Sequence, residues 1–175
     1  AREVVMMYAG KAPDALRNLD NVHKAQFTAA AEILGQMKMR GMAEPLMSFL
    51  PAGNPPEFQQ ASVDALVKIS PVAYTSVFTG LFGDPATGSA YKEKLVPAIA
   101  ANPTFQNLSV LRRQLPGSPR SLQVAILSAL AAAPGGIGQV VDAMEKNEAP
   151  PDLLQAGRLK TILNDYLKSN ENARL

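Results

Sequence analysis

The chain has no cysteine and no tryptophan, and one histidine among its 175 residues. Without thiols there is neither a disulfide nor a thiolate metal site. With His23 as the single imidazole, the clustered ligands that a zinc or haem site needs are missing as well. Neither a metal nor a covalent cofactor is therefore expected. The compartment stays open, because secreted proteins can also lack cysteine. Aromatics are scarce at 6%, whereas alanine and leucine are common. That mixture suits close helix–helix packing better than a β-sandwich, which draws on Val, Ile, Thr and aromatic runs. No apolar stretch approaches the roughly 18 residues of a membrane-spanning helix, and no signal peptide is visible. A formal charge of +2 is too small to imply a polyanionic partner by itself.

What the chain does have is a repeated apolar rhythm, clearest over residues 119–148. Leu122, Ala125, Ile126, Ala129, Leu130 and Ala133 recur at three- and four-residue steps, which predicts one helix with a small-residue face. Pro134-Gly135-Gly136 stops it and permits backbone angles that a side chain would forbid. Ile137, Val140, Val141 and Met144 then mark a second helix. Such a hairpin cannot bury both faces alone and calls for copies of itself on either side.

Upstream the same reading places a short helix after Pro13, a long one from His23 to Arg40, and a second helix beyond Gly41 through Leu50. A helix over 57–69 is followed by a partner beginning at Pro71. Ser89 is read as the N-cap of the next helix, which should bend at Pro97. Pro103 opens another helix, and a final one follows Pro150-Pro151, with the tail SNENARL frayed. The expected core comprises Phe27, Leu34, Phe58, Leu66, Phe78, Ile99, Phe105, Leu108, Ile126, Leu130, Val141 and Ile162.

Laid on one another, the first helices align Leu34 with Leu66, Ile99 and Leu130, in steps of 32, 33 and 31 residues. A period that survives three steps predicts an all-α fold, specifically an α-solenoid, rather than a closed bundle. The hairpins resemble HEAT-type repeats: antiparallel helices, a proline inside one copy's first helix, and short turns. The run ALAAAPGGIGQVVDAMEKNEAPPDLLQAGRLKTIL is similar to HEAT-like segments of large bacterial secreted proteins. In those proteins such a segment lies between a sugar-dehydrogenase-like β-propeller and a C-terminal cytochrome c domain. The resemblance implies a right-handed superhelix of about four to five HEAT-like hairpins, periplasmic or secreted. Residues 1–175 would form one repeat domain: a partial repeat over 1–22, four hairpins over 23–148, and a C-terminal helix and tail over 149–175. The start in mid-pattern, without an initiator Met, suggests a piece of a longer protein. No haem-attachment or propeller motif is present, so no functional residue carries over.

Chemistry is harder to find. Ser89-Ala90-Tyr91-Lys92 matches the Ser-x-x-Lys pattern of serine hydrolases, but its companion elements are absent. Gly135-Gly136-Ile137-Gly138 lacks the third spaced glycine and the preceding strand of a phosphate loop. The uneven feature is charge. No acidic residue lies between Glu93 and Asp142, whereas Lys94, Arg112, Arg113 and Arg120 do. Arg112, Arg113 and Arg120 flank one turn, either solvating a helix end or forming a basic edge for an acidic partner. The leading expectation is a non-catalytic scaffold that contacts another protein or a neighbouring domain of its parent chain. A nucleic-acid-binding protein of the HEAT-like DNA glycosylase type, or a HEAT-like chromophore lyase, is the alternative. Nearly balanced charge and the lack of Trp disfavour nucleic acid. The apolar residues Val4, Val5, Met6, Met7 and Tyr8 make the N-terminal end the expected site of self-association.

Overall fold

The computed structural model describes residues 1–172, apart from the side chains of Arg158, Leu167 and residues 169–172. Among the described residues the chain is all-helical, with eleven α-helices, two 3-10 turns and no strand. It divides into two compact units, Ala1–Asn102 and Pro103–Leu175.

The first unit contains α1 (Arg2–Tyr8), α2 (Pro13–Arg17), α3 (Asn21–Gln36), α4 (Ala43–Met47), α5 (Pro56–Ile69), α6 (Thr75–Gly83) and α7 (Ser89–Ala100). Its spine is the pair α3 and α5. Asp20 starts α3 by accepting the His23 backbone N–H at 2.9 Å, and Pro56 sits in the first turn of α5, where its missing donor is harmless. The two helices come close because Gly35 carries no side chain. A Cβ there would lie 2.9 Å from the Ala65 Cα. Lys68 reaches from α5 to Glu32 on α3 beside this contact, and the ammonium holds the Glu32 carboxyl below its usual range.

The core of this unit is aromatic. Phe27 stacks on Phe58 at 4.1 Å, Phe49 meets the Phe27 edge at 4.7 Å, and Tyr8 packs edge-on to Phe58 at 5.8 Å. All four rings are buried, and they join α1, α3, the turn after α4, and α5. Each such pair adds about 0.5–1.5 kcal/mol beyond its area. The turn after α4 is also held by polar ties. Asn54 donates to the Ser48 carbonyl at 3.2 Å, and Gln59 donates to the Pro51 carbonyl at 2.8 Å. The Tyr91 hydroxyl donates to the Leu50 carbonyl at 3.0 Å, in surroundings whose burial pushes the phenol well above its usual range.

The second unit contains α8 (Phe105–Arg113), α9 (Arg120–Ala132), α10 (Gly136–Glu145) and α11 (Gly157–Asn172). Helix α9 is its centre, with α8, α10 and α11 packed against it. Leu122, Ile126 and Leu130 face inward from α9, as its periodicity predicts, and Leu127 is buried beside them. The α9–α10 turn depends on two glycines. Gly135 has φ +70°, and a Cβ on Gly136 would fall 1.7 Å from the Leu130 carbonyl oxygen. Gln123 donates to the Leu115 carbonyl at 2.9 Å, reaching eight residues upstream. Gln59 spans the same eight residues to Pro51, and each glutamine stands four residues after a proline N-cap, Pro55 or Pro119.

Several sequence expectations need correction. Phe105 is 79% exposed: it is the first residue of α8, where the Cβ tilts off the helix end instead of toward the core. Val141 is 50% exposed because Val140 and Ala143 take the inward positions, a phase shift of one residue. Ile162 is half-buried. Gly88, not Ser89, is the N-cap of α7. Helix α6 begins at Thr75, since Ser70 is extended and residues 71–74 form a turn. The helix expected beyond Gly41 is only α4, preceded by a 3-10 turn, and Phe49 and Leu50 are buried from the loop that follows. Pro97 lies inside α7, the helix in which the sequence placed it. The segment after Pro150 splits into a 3-10 turn at Pro151–Gln155 and α11, because Ala156 is extended and Gly157 has positive φ. Helix α11 continues to Asn172, past Ser169 where the tail was expected to fray; residues 173–175 lie outside those described.

Candidate interaction surface

The three arginines singled out by charge are separated by the structure into different roles. Arg112, in the last turn of α8, turns toward the chain's own carboxylates. Its Nε donates to Glu148 Oε2 at 2.7 Å and its Nη2 to Glu148 Oε1 at 3.0 Å, a bidentate fork. Its Nη1 lies 2.6 Å from Asp142 Oδ2 on α10, and Lys146 reaches the same oxygen at 3.0 Å. The Glu148 fork, followed by Asp142, pushes the guanidinium pKa still higher, and Lys146 with Arg112 holds the Asp142 carboxyl below the usual carboxylate range. Paired forks of this kind fix direction as well as charge. Arg112 is thus a clasp between α8 and the end of α10.

Arg120, at the start of α9, pairs with Asp152 at 2.7 Å. Both side chains are well exposed, so this pair is screened and weak. Arg113 is exposed and makes no ion pair among the described residues. The acid-free stretch from Glu93 to Asp142 concealed this outcome, because the neutralising groups come from beyond its end. Only packing brings Asp142, Glu148 and Asp152 back onto it.

Exposed apolar side chains stand out on two helices of the first unit. On α1, Val5 and Tyr8 enter the aromatic core, whereas Met6 and Met7 remain about half exposed. On α3, which packs against α1, Ile33 is 48% exposed, and Met37, the C-cap one turn further on, is 66% exposed. The N-terminal apolar run therefore splits into an anchor and an outward face. Methionine is flexible and polarizable, and it adapts to irregular contacts.

Between α3 and α5 runs an open groove of about 570 Å³, floored by Ala25 and Ala29 and flanked by Lys24, Glu32 and Glu57. Lys24 and Glu57 stand 3.9 Å apart across it, so its charges already answer one another. His23 lies in the first turn of α3 with its Nδ1 2.7 Å from Asp20 Oδ1. No group of three or more His, Asp or Glu side chains is placed to hold a metal ion among the described residues. No described helix is long and apolar enough to cross a membrane. Comparison of the chain with protein-family models, curated proteins and solved structures finds no match.

Proposed function

We propose that this chain is a non-catalytic helical-repeat scaffold that presents a surface to another protein or to a neighbouring domain of its parent chain. The observation that carries this reading is the set of outward apolar side chains on two adjoining helices, Met6, Met7, Ile33 and Met37. Large exposed apolar residues on neighbouring elements favour a partner. The finer architecture, a right-handed α-solenoid of HEAT-like hairpins, is supported by the matching ties of Gln59 and Gln123, which stand two sequence periods apart. In this reading Arg113 and the exposed Arg120–Asp152 pair give the second unit a salt-sensitive surface of its own for an acidic partner, while Arg112 stays within the chain. The same internal pairing weakens the nucleic-acid alternative, since two of the grouped cations are already matched by carboxylates.

Site-specific photo-crosslinking in the native source tests it. A crosslinker at Met37 or Met7 should capture one discrete protein, and Ile33→Asp should abolish that adduct. Position Glu44, exposed on α4, should give none. An adduct of twice the chain's own mass would identify self-association instead. Equal labelling at Glu44 would sink the reading.

A further inference from the structure

With no cysteine and no tryptophan in the chain, its methionines are the most readily oxidised side chains. The fold sorts them by access. Met37 is 66% exposed, Met7 58% and Met6 49%, whereas Met42 is buried at 3%. Met39, Met47 and Met144 fall between these extremes. The sorting follows from the helices. In α1, Val5 and Tyr8 stand one turn apart and are both buried, which leaves Met6 and Met7 on the other side. Met37 is the C-cap of α3, beyond Leu34, the last large side chain that this helix buries.

The backbone that carries Met37 is well held. Its N–H donates to the Ile33 carbonyl at 2.9 Å. The Lys38 N–H donates to Gly35 at 3.0 Å and the Met39 N–H to Leu34 at 3.1 Å, the pair of bonds that closes a helix around a left-handed residue, here Lys38 at φ +50°. The Met37 thioether is thus open to solvent in the folded chain, whereas Met42 is reached only when the unit opens.

Peroxide oxidation transfers one oxygen atom. The sulfur lone pair attacks a peroxide oxygen, the O–O bond breaks, and water leaves as the sulfur gives up two electrons. The sulfoxide is polar and accepts hydrogen bonds, so at an exposed position it changes the surface and spares the core.

We propose that Met6, Met7 and Met37 are an oxidation-sensitive site: peroxide converts their thioethers to sulfoxides, which makes these apolar positions polar and releases the partner with the fold retained. The release rests on the scaffold reading; the selectivity does not.

The test exposes the purified full chain to dilute hydrogen peroxide, removes the peroxide, and maps oxygen uptake by protease digestion and mass spectrometry. Met37 and Met7 should oxidise at least about tenfold faster than Met42, with Met6 close behind them. Near-ultraviolet dichroism should be unchanged at that stage. A crosslinker at Ile33, which peroxide leaves alone, then reads the partner when the chain is added to an extract of the native source. Its adduct should fall by about tenfold or more, as loss of one buried apolar side chain implies. The triple variant Met6→Leu, Met7→Leu, Met37→Leu keeps the positions apolar and should keep its adduct after the same treatment. If that variant misfolds, a thiol-dependent sulfoxide reductase decides: it releases the oxygen as water, oxidises two thiols to a disulfide, and should restore the adduct. Met42 keeping pace with Met37 overturns the site. So does selective oxidation that leaves the adduct intact, or that lowers it only together with the dichroism. No adduct from the untreated chain would overturn the scaffold reading and the release with it, while the peptide map decides the selectivity alone.

Discussion

Arg112 holds Glu148 through two nearly parallel hydrogen bonds, of 2.7 and 3.0 Å, although 36 residues separate them. The fork is partly buried, so its loss should be felt more than that of a surface pair. Glu148→Gln keeps the shape and one acceptor but removes the charge. It should cost about 1 kcal/mol in urea denaturation, with little change in the slope. An unchanged midpoint would mean that the clasp contributes nothing.

The clasp also has a pH signature. The Asp142 carboxyl is held below its ordinary value by Lys146 and then Arg112. A depressed carboxylate stabilises the fold above its unfolded pKa, and that contribution fades as pH falls through the folded value. Glu32, Asp20 and Asp152 carry the same sign. Asp64 opposes them, because burial raises its carboxyl. Melting temperature should therefore decline on acidification below the carboxylate range, and Asp142→Asn should flatten part of that decline.

Two glycine substitutions should have opposite signs. At Gly35 a methyl group would meet the Ala65 backbone at 2.9 Å, which cannot swing aside, so Gly35→Ala should destabilise by about 1–3 kcal/mol. At Gly80 in α6 nothing lies within 4 Å of the added carbon. Gly80→Ala should stabilise by about 0.5–1 kcal/mol through reduced backbone freedom of the unfolded chain. Equal effects at the two sites would show that α3 and α5 are not in close contact.

Gln123→Leu would remove one of two donors from the Leu115 carbonyl, which keeps the Ser118 N–H at 3.3 Å, at a cost of about 0.5–1.5 kcal/mol. Gln59→Leu should cost a similar amount at Pro51. Thermal melts of both variants check this, and a loss at one site alone would argue that the two ties are not equivalent.

How far the residues foretell this fold depends on what each signal reports. Leu122, Ile126 and Leu130 lie on one helix face whatever surrounds them, and local spacing places them correctly. The turn at Gly135-Gly136 is equally local. Val141 and Phe105 are not, because a helix's apolar period is the same for two adjacent phases and says nothing about where a neighbour ends. The arginine edge was legible as a gap in acidic residues, but the fate of Arg112 depends on carboxylates 30 and 36 residues away in the chain. The aromatic cluster escaped notice for a similar reason: Tyr8, Phe27, Phe49 and Phe58 are scattered in sequence and meet only when four elements pack. Nothing in the local spacing distinguishes Gln59 and Gln123 from other polar helix residues; only their burial does.

The placement of the rings gives the molecule a built-in optical label. Tyr8, Phe27, Phe49, Phe58, Phe78 and Phe82 are all buried within residues 1–102, whereas the later residues hold only Phe105 and Tyr166, both exposed. Near-ultraviolet circular dichroism arises from rings locked in asymmetric surroundings, so its signal comes almost wholly from the first unit. Far-ultraviolet dichroism registers helices in both. Coincident melting curves at the two wavelengths would mean that the units unfold together. A far-ultraviolet transition without a near-ultraviolet counterpart would be the melting of the second unit, seen without any added chromophore.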